Sequence, residues 1–179
     1  MTSIVVEDVL ISHGHGESTV SFSIVGDPPV QERAKMRYRG LFHPYIYDPS
    51  SGEKAAFGRN MAESMSAMGE VIGAAGTGNG NYYFQERTSV KLITTMLLPR
   101  PLNQFVVAKG ANKKRVRDDA IGYPERKDVD NMLKFVMDAL EGYFYKNDSC
   151  ITKATIEKRF VADGEAVGMD LSFSGKRSI

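Results

Sequence analysis

One cysteine in 179 residues, Cys150, excludes a disulfide framework within the chain and suits a reducing compartment. No apolar run approaches the roughly 20 residues that a membrane-spanning helix needs, so no membrane partner is expected. The opening MTSIVVEDVLISHGHGE has no basic start and carries acids early. A secretory leader is therefore not expected; a cytoplasmic setting is expected for a bacterial or phage source, with an organellar or nuclear one left open. Repeats are absent, as is any composition shift that would mark a domain boundary. The glycine-rich stretch GAAGTGNGN, Gly73 to Asn81, lacks the Lys-Ser/Thr that would make it a phosphate loop, and reads as a flexible connection. An excess of charge is missing too: 23 basic against 22 acidic residues leave a net charge of +1. What remains is 42% hydrophobic and 25% charged, the balance of one globular domain over residues 1–179.

Near-neutrality overall hides two local concentrations of positive charge. RAKMRYR holds Arg33, Lys35, Arg37 and Arg39, and KGANKKRVR holds Lys109, Lys113, Lys114, Arg115 and Arg117. Together they carry nine of the 23 basic residues, enough to attract phosphate locally. Alternation in an extended segment would put the first four on one face; a solvated basic face reads equally well. His13 and His15 in SHGHGE can bind a metal, but read more simply as a floppy N-terminal loop.

The patterning predicts strands and two helices. STVSFSIVG alternates Val20, Phe22 and Ile24 against polar neighbours, a half-buried strand that GDPP ends. A short strand is expected over Tyr45 to Tyr47. Phe57, Met61, Met65, Met68 and Ile72 recur at helical spacing, predicting a helix from about Glu53 to Ile72 with methionines as core filling. Thr88 to Pro99 is apolar on both faces, which predicts a central strand. Residues 103–126 are polar, basic and weakly patterned, a functional or disordered segment. A helix is expected from Asp130 to Glu141, closed by Gly142. CITKATIEKRFV and GEAVGMDLSFS read as two strands closing antiparallel around Ala162 to Glu165. The order implies an α+β fold, a single domain with a mixed β-sheet and two main helices.

The chemistry concentrates in ERKDVDNMLKFVMDALEGYFYKNDSC, Glu125 to Cys150. If Lys127 to Asp130 is extended, Asp128 and Asp130 point to one side. Two carboxylates so close repel unless a cation sits between them or one is protonated. Hard oxygen ligands suit Mg²⁺, with Mn²⁺ as a substitute. Along the helix, Leu133, Val136, Met137 and Leu140 form the expected buried stripe. Asp130, Lys134 and Asp138 recur at i, i+4 and i+8 beside it. Lys134 can offset carboxylate repulsion or reach a phosphate oxygen, and Asp148 can fold back as a third acid. Asp138 can position Lys134 or act as its plain surface partner. Three acids around divalent ions and a basic groove describe a metal-dependent phosphodiesterase. The same spacing is also met by a helix cap, a surface ion pair and an ordinary turn.

In order, KDVDNMLKFVMDALEGYFYKNDSCI closely resembles the signature of RusA-like Holliday junction resolvases: K-P-D-x-D-N-x-x-K-x-x-x-D-A-L-N-G, a turn, then D-D-S-Q. IVGDPPVQERAKMRYRG, YIYDP and MLLPRP are similar to further family segments, so the likeness spans about residues 20–160. The resemblance implies that Asp128, Asp130, Lys134 and Asp148 are catalytic, with Asp128, Asp130 and Asp148 holding Mg²⁺. It implies a homodimer that makes paired symmetric nicks in four-way DNA junctions during recombination and repair, near the nucleoid if the source is bacterial or phage. Tyr38 and Phe105 would then stack at the junction centre or merely pack. The chain departs from the pattern at Lys127 for proline, Glu141 for asparagine, Asn147 for the first acid of the downstream pair, and Cys150 for glutamine. Those departures leave open a branched-DNA binder that does not cut, and a nuclease for other branched DNA.

Overall fold

Alternation in two serine-rich segments sets the sheet. In β2 (Glu17–Val25) Ser18, Val20, Phe22 and Ile24 are buried while Ser21 and Ser23 face the other way. β9 (Gly168–Gly175) does the same with Met169, Leu171 and Phe173. The two pair antiparallel with Phe22 opposite Leu171, and their outer faces are joined by Ser21–Ser172 and Ser23–Asp170 side-chain bonds, each 3.0 Å. The structure is a computed structural model that describes residues 5–14, 16–38, 44–70, 82–107 and 114–177.

The main sheet has the order β1-β2-β9-β5-β8, with β1 at Val5–Gly14, β5 at Val90–Leu98 and β8 at Ile151–Phe160. Only β5 and β8 run parallel, and between them the chain passes through α2 (Val129–Leu140), the crossover such a pair needs. The mixed sheet and two helices agree with the α+β expectation. α1 (Ser51–Ala67) and α2 share one hydrophobic core with the inward face of the sheet, so the helices cover a single side. Two hairpins stand apart: β3 (Lys35–Tyr38) with β4 (Pro44–Tyr47), and β6 (Phe105–Val107) with β7 (Lys114–Val116). No helix among the described residues is long and apolar enough to cross a membrane.

Several expectations change. The strands around Ala162–Glu165 do not pair with each other, because β5 lies between them. The turn itself is made: Glu165 N–H donates to the Ala162 carbonyl at 3.1 Å, and Gly164 takes φ 83°. A turn signal reports a reversal, not which strand becomes the neighbour. Placing the apolar β5 inside leaves the polar β8 at the edge, the cheaper arrangement. β5 is flanked on both sides, yet only one face is covered along its first half, with Ile93 55% exposed. β1 is the other edge strand and takes in His13, read with His15 as part of a loose loop; His13 Nδ1 bonds Ser18 Oγ at 2.9 Å across its hairpin. His15 lies outside the described residues. Residues 103–126 hold the β6–β7 hairpin where they are described, while 108–113 and the Gly73–Asn81 loop lie outside the described residues. α1 stops at Ala67, before Gly69 at φ 82°; Ile72 is outside the described residues.

The helices meet closely because Gly58 has no side chain. A Cβ there would lie 2.3 Å from the Ala139 carbonyl oxygen and 2.6 Å from the Tyr143 ring. Phe57 meets Phe135 edge-on nearby, with ring centroids 5.8 Å apart. Gly58→Ala is expected to lose about 1–3 kcal/mol despite the better helix propensity of alanine, since backbone must move. A lower urea midpoint with an unchanged m-value is the expected reading.

Candidate active site

Backbone geometry at the start of α2 differs from the extended dipeptide that the spacing implied. Lys127 lies in the left-handed region at φ 66°, Asp128 is extended (φ −69°, ψ 134°), and the helix begins at Val129. Asp130 is therefore helical, two residues and about half a turn of backbone from Asp128, rather than one strand repeat away. Proline cannot adopt a positive φ, so the lysine in place of the family's proline marks a different local path. That path is clamped from three sides. Lys127 Nζ bonds Asp27 Oδ1 at 2.7 Å and also the Pro28 carbonyl, while Lys158 Nζ donates to the Lys127 carbonyl at 2.9 Å. The Gln31 N–H reaches the Asn131 carbonyl at 3.2 Å, so Asn131 ties the helix to the 26–32 segment through its backbone.

Asp128 and Asp130 are both exposed. Asp128 occupies the N-cap position but makes no side-chain capping bond. Both carboxylates sit where helix N–H groups favour negative charge, without being consumed by the cap. Lys134 is exposed one turn on. The buried face of α2 is Met132, Phe135, Val136, Ala139 and Leu140, with Leu133 and Met137 only partly buried. Packing against α1 as well as the sheet rotates that face from the stripe expected around Leu133 and Met137.

Asp138 has a partner that the sequence reading missed. Lys54 Nζ, nearly buried, lies 2.7 Å from both Asp138 Oδ2 and Asp48 Oδ2. Ser50 N–H donates to Asp48 Oδ1 at 2.9 Å. The Gln31 amide, turned so that its NH₂ faces Asp138 Oδ2 at 3.2 Å and its oxygen faces Lys54 Nζ at 3.1 Å, completes the group. Burial pushes the Lys54 ammonium pKa down, but the bonds to Asp138 and Asp48 outweigh it and hold the group charged. The Lys54 bond, helped by the Ser50 amide and more weakly by the Lys134 charge, keeps the Asp48 carboxyl below its usual range. Asp138 thus ties α2 to α1 instead of holding Lys134. One signal was available: Lys54 falls on the same stripe as Phe57, Met61 and Met65, where a cation needs a buried partner.

Asp148 lies at the other end of the helix. It starts a 3₁₀ turn (Asp148–Cys150) in which Asn147 Oδ1 accepts the Ser149 N–H at 2.8 Å. Its acidic neighbour is Glu141, whose carboxyl is raised first by burial and then by the Asp148 charge. Eleven residues of helical rise separate Asp130 from Glu141, roughly 16 Å. The three aspartates therefore do not converge within one chain, and the described residues contain no group of three His, Cys, Asp or Glu able to hold a metal. A pair does suit Mg²⁺, which commonly takes one or two carboxylates and completes its shell with water and substrate phosphate.

The raised Glu141 pKa has a definite consequence for stability. Above the ordinary value of 4.5 the folded state holds its proton more tightly than the unfolded chain, so stability falls as pH rises through that window. Glu141→Gln is expected to raise the unfolding midpoint at neutral pH, with the advantage vanishing below about pH 4.5. Paired melts across pH check it.

The basic clusters are only partly free. Arg33, Lys35 and Arg37 are exposed. Lys35 pairs with Glu32, and the Arg37 guanidinium stacks on Tyr47 at 4.7 Å. Arg115 reaches Asp118 at 3.4 Å, and Arg117 grips Asp119 with bonds of 2.9 and 2.8 Å. Such exposed pairs are weak and exchangeable for phosphate. Arg39, Lys109 and Lys113 lie outside the described residues, as do the side chains of Tyr38 and Lys114. Phe105 is half-buried in its hairpin. Two clefts flank α2. One of about 420 Å³ runs from Pro99 and Phe160 to Lys127, next to Asp128, with Arg100 stacked on Phe160 at 4.1 Å. The other, of about 390 Å³, opens beside Asp148.

A family model described as endodeoxyribonuclease RusA matches residues 74–168, more than half of the chain, from the approach to β5 through α2, Asp148 and β8 to the start of β9. No curated protein matches it. With the aspartates at the head of α2 and Asp148 inside the matched region, the chain belongs to the RusA endodeoxyribonuclease family, a family of nucleases.

Proposed function

We propose that this protein is a Mg²⁺-dependent, structure-selective endonuclease that resolves four-way DNA junctions. The observation that carries the reading is the pair Asp128 and Asp130 at the head of α2, exposed and uncommitted, within the family match. These two carboxylates would hold Mg²⁺. When bound, the ion would neutralise charge on the phosphodiester and ease deprotonation of the attacking water. Lys134, one turn along the same helix, would place its ammonium beside the phosphate oxygens as charge develops. The exposed Arg33, Lys35, Arg37, Arg115 and Arg117 would bind the backbone of the arms without reading bases. A homodimer would present two such sites about a two-fold axis, matching two symmetric strands.

Asp148, at the far end of α2, belongs to this reading as the acid nearest Glu141, not as a ligand beside Asp130. Its separation favours one second reading, a branched-DNA binder that does not cut. Digestion of a synthetic four-way junction with Mg²⁺ or Mn²⁺, mapped on both strands, decides between them. Paired symmetric nicks support the proposal; binding without cutting under either ion sinks it. Cutting of flaps or forks in preference to junctions would move the substrate assignment and leave the chemistry.

A further inference from the structure

The cleft beside Asp148 has a different character from the acid-lined face of α2. Its walls are the turn before β5, the start of β8 and the residues on either side of Asp148. Ser89 Oγ, just before β5, and Thr152 Oγ1, in β8, bond to each other within it, and Ser149 and the single thiol, Cys150, line it as well. Two cations stand at its rim. Lys146 is 3.2 Å from Glu86, its one acidic neighbour there. Arg87 makes no ion pair among the described residues. It also sits in the left-handed region at φ 62°, a conformation that glycine or asparagine adopts more cheaply. A strained, unpaired arginine beside hydroxyl donors fits an anion of tetrahedral oxygens.

We infer that this cleft seats a backbone phosphate of the DNA, a second grip on the strand whose cleavage the head of α2 performs. The inference rests on the reading of the chain as a branched-DNA nuclease. Helical rise puts the two ends of α2 roughly 16 Å apart, and the cleft lies past the C-terminal end of that helix, where Lys146, Asn147 and Ser149 line it. Arg87 and Lys146 would donate the charged bonds, and the Ser89–Thr152 hydroxyl pair the neutral one.

Cys150 supplies the test, since no other thiol reports. Its rate of labelling by a small methanethiosulfonate is measured with and without a saturating four-way junction, in Ca²⁺ to prevent turnover. Wild type is expected to label several-fold more slowly with junction bound. Arg87→Gly, which removes the charge and relieves the backbone, and Lys146→Gln are each expected to lose that protection. Each should also lower the slope of log affinity against log salt by about 0.9. Lys146→Arg should keep both. Inorganic phosphate at concentrations below those that bind weakly to any basic surface should not protect the thiol; if it protects as well as DNA does, the cleft is a free-anion site and the inference fails. If junction binds with wild-type affinity yet Cys150 labels at an unchanged rate, the cleft holds no DNA, and the nuclease reading stands. If no branched DNA binds at all, both readings fall together.

Discussion

Asp128→Asn and Asp130→Asn are each expected to lower junction turnover by a factor on the order of 10²–10³, the cost of removing one preorganised electrostatic partner from a reacting phosphate. Neither should cost stability. Both side chains are exposed, and Asp128 caps no helix N–H group, so the change in unfolding free energy is expected within about 0.5 kcal/mol. The combination of lost cutting and an unchanged melt separates a chemical role from a structural one. Junction affinity in the absence of turnover should hold or rise, because one negative charge near the DNA is gone. Asp148→Asn is expected to do less than either, since Asp148 is far from the pair in its own chain. If it proves as damaging as Asp130→Asn, the acid must reach the reacting phosphate from a second copy of the chain.

Lys54→Met carries the largest expected effect on stability. The change removes the cation bonded to both Asp48 and Asp138 and leaves two facing carboxylates at a helix junction. Breaking a fully buried pair costs about 3–5 kcal/mol, and the partial solvent contact of both acids reduces the expectation here to about 2–3 kcal/mol. Asp138→Asn should cost less, because the amide can still accept a bond from Lys54. A double-mutant cycle between Lys54 and Asp138, followed by urea unfolding, should give a coupling of about 1 kcal/mol or more. Since α2 carries Asp130 and Lys134 as well as Asp138, turnover should fall with Lys54→Met even at temperatures where the variant remains folded.

Much of this architecture was legible in the chain because burial follows period. β2 announces itself by alternation, β5 by an apolar run on both faces, and α1 and α2 by helical spacing, with Gly69 and Gly142 near their ends. Partnership was less legible. β8 and β9 are joined by a sound turn yet separated by β5, because strand order depends on which strand gains most from two neighbours. The acids were visible as types and spacings, but not their distribution along a rigid rod. Asp128 and Asp130 crowd one end of α2 and Asp148 the other, a separation that the turn from Gly142 to Asn147 does not cancel. Lys54 was hidden for a related reason: its partners are six and 84 positions away, and only the crossing at Gly58 brings the second within reach.

Lys127 also limits how sequences in this family can be exchanged. Replacing it with proline would look like a repair toward the common pattern, and a consensus design would choose it first. The backbone here turns in the opposite sense, and the side chain is anchored to Asp27 and Pro28. The proline would have to be introduced together with a new path for residues 126–128 and new partners for Asp27 and Lys158. Position 127 is therefore a place where likeness of motif and interchangeability of residues part company. Chimeras that join this α2 to another member's upstream segment should carry residues 27–31 and 158 along with it.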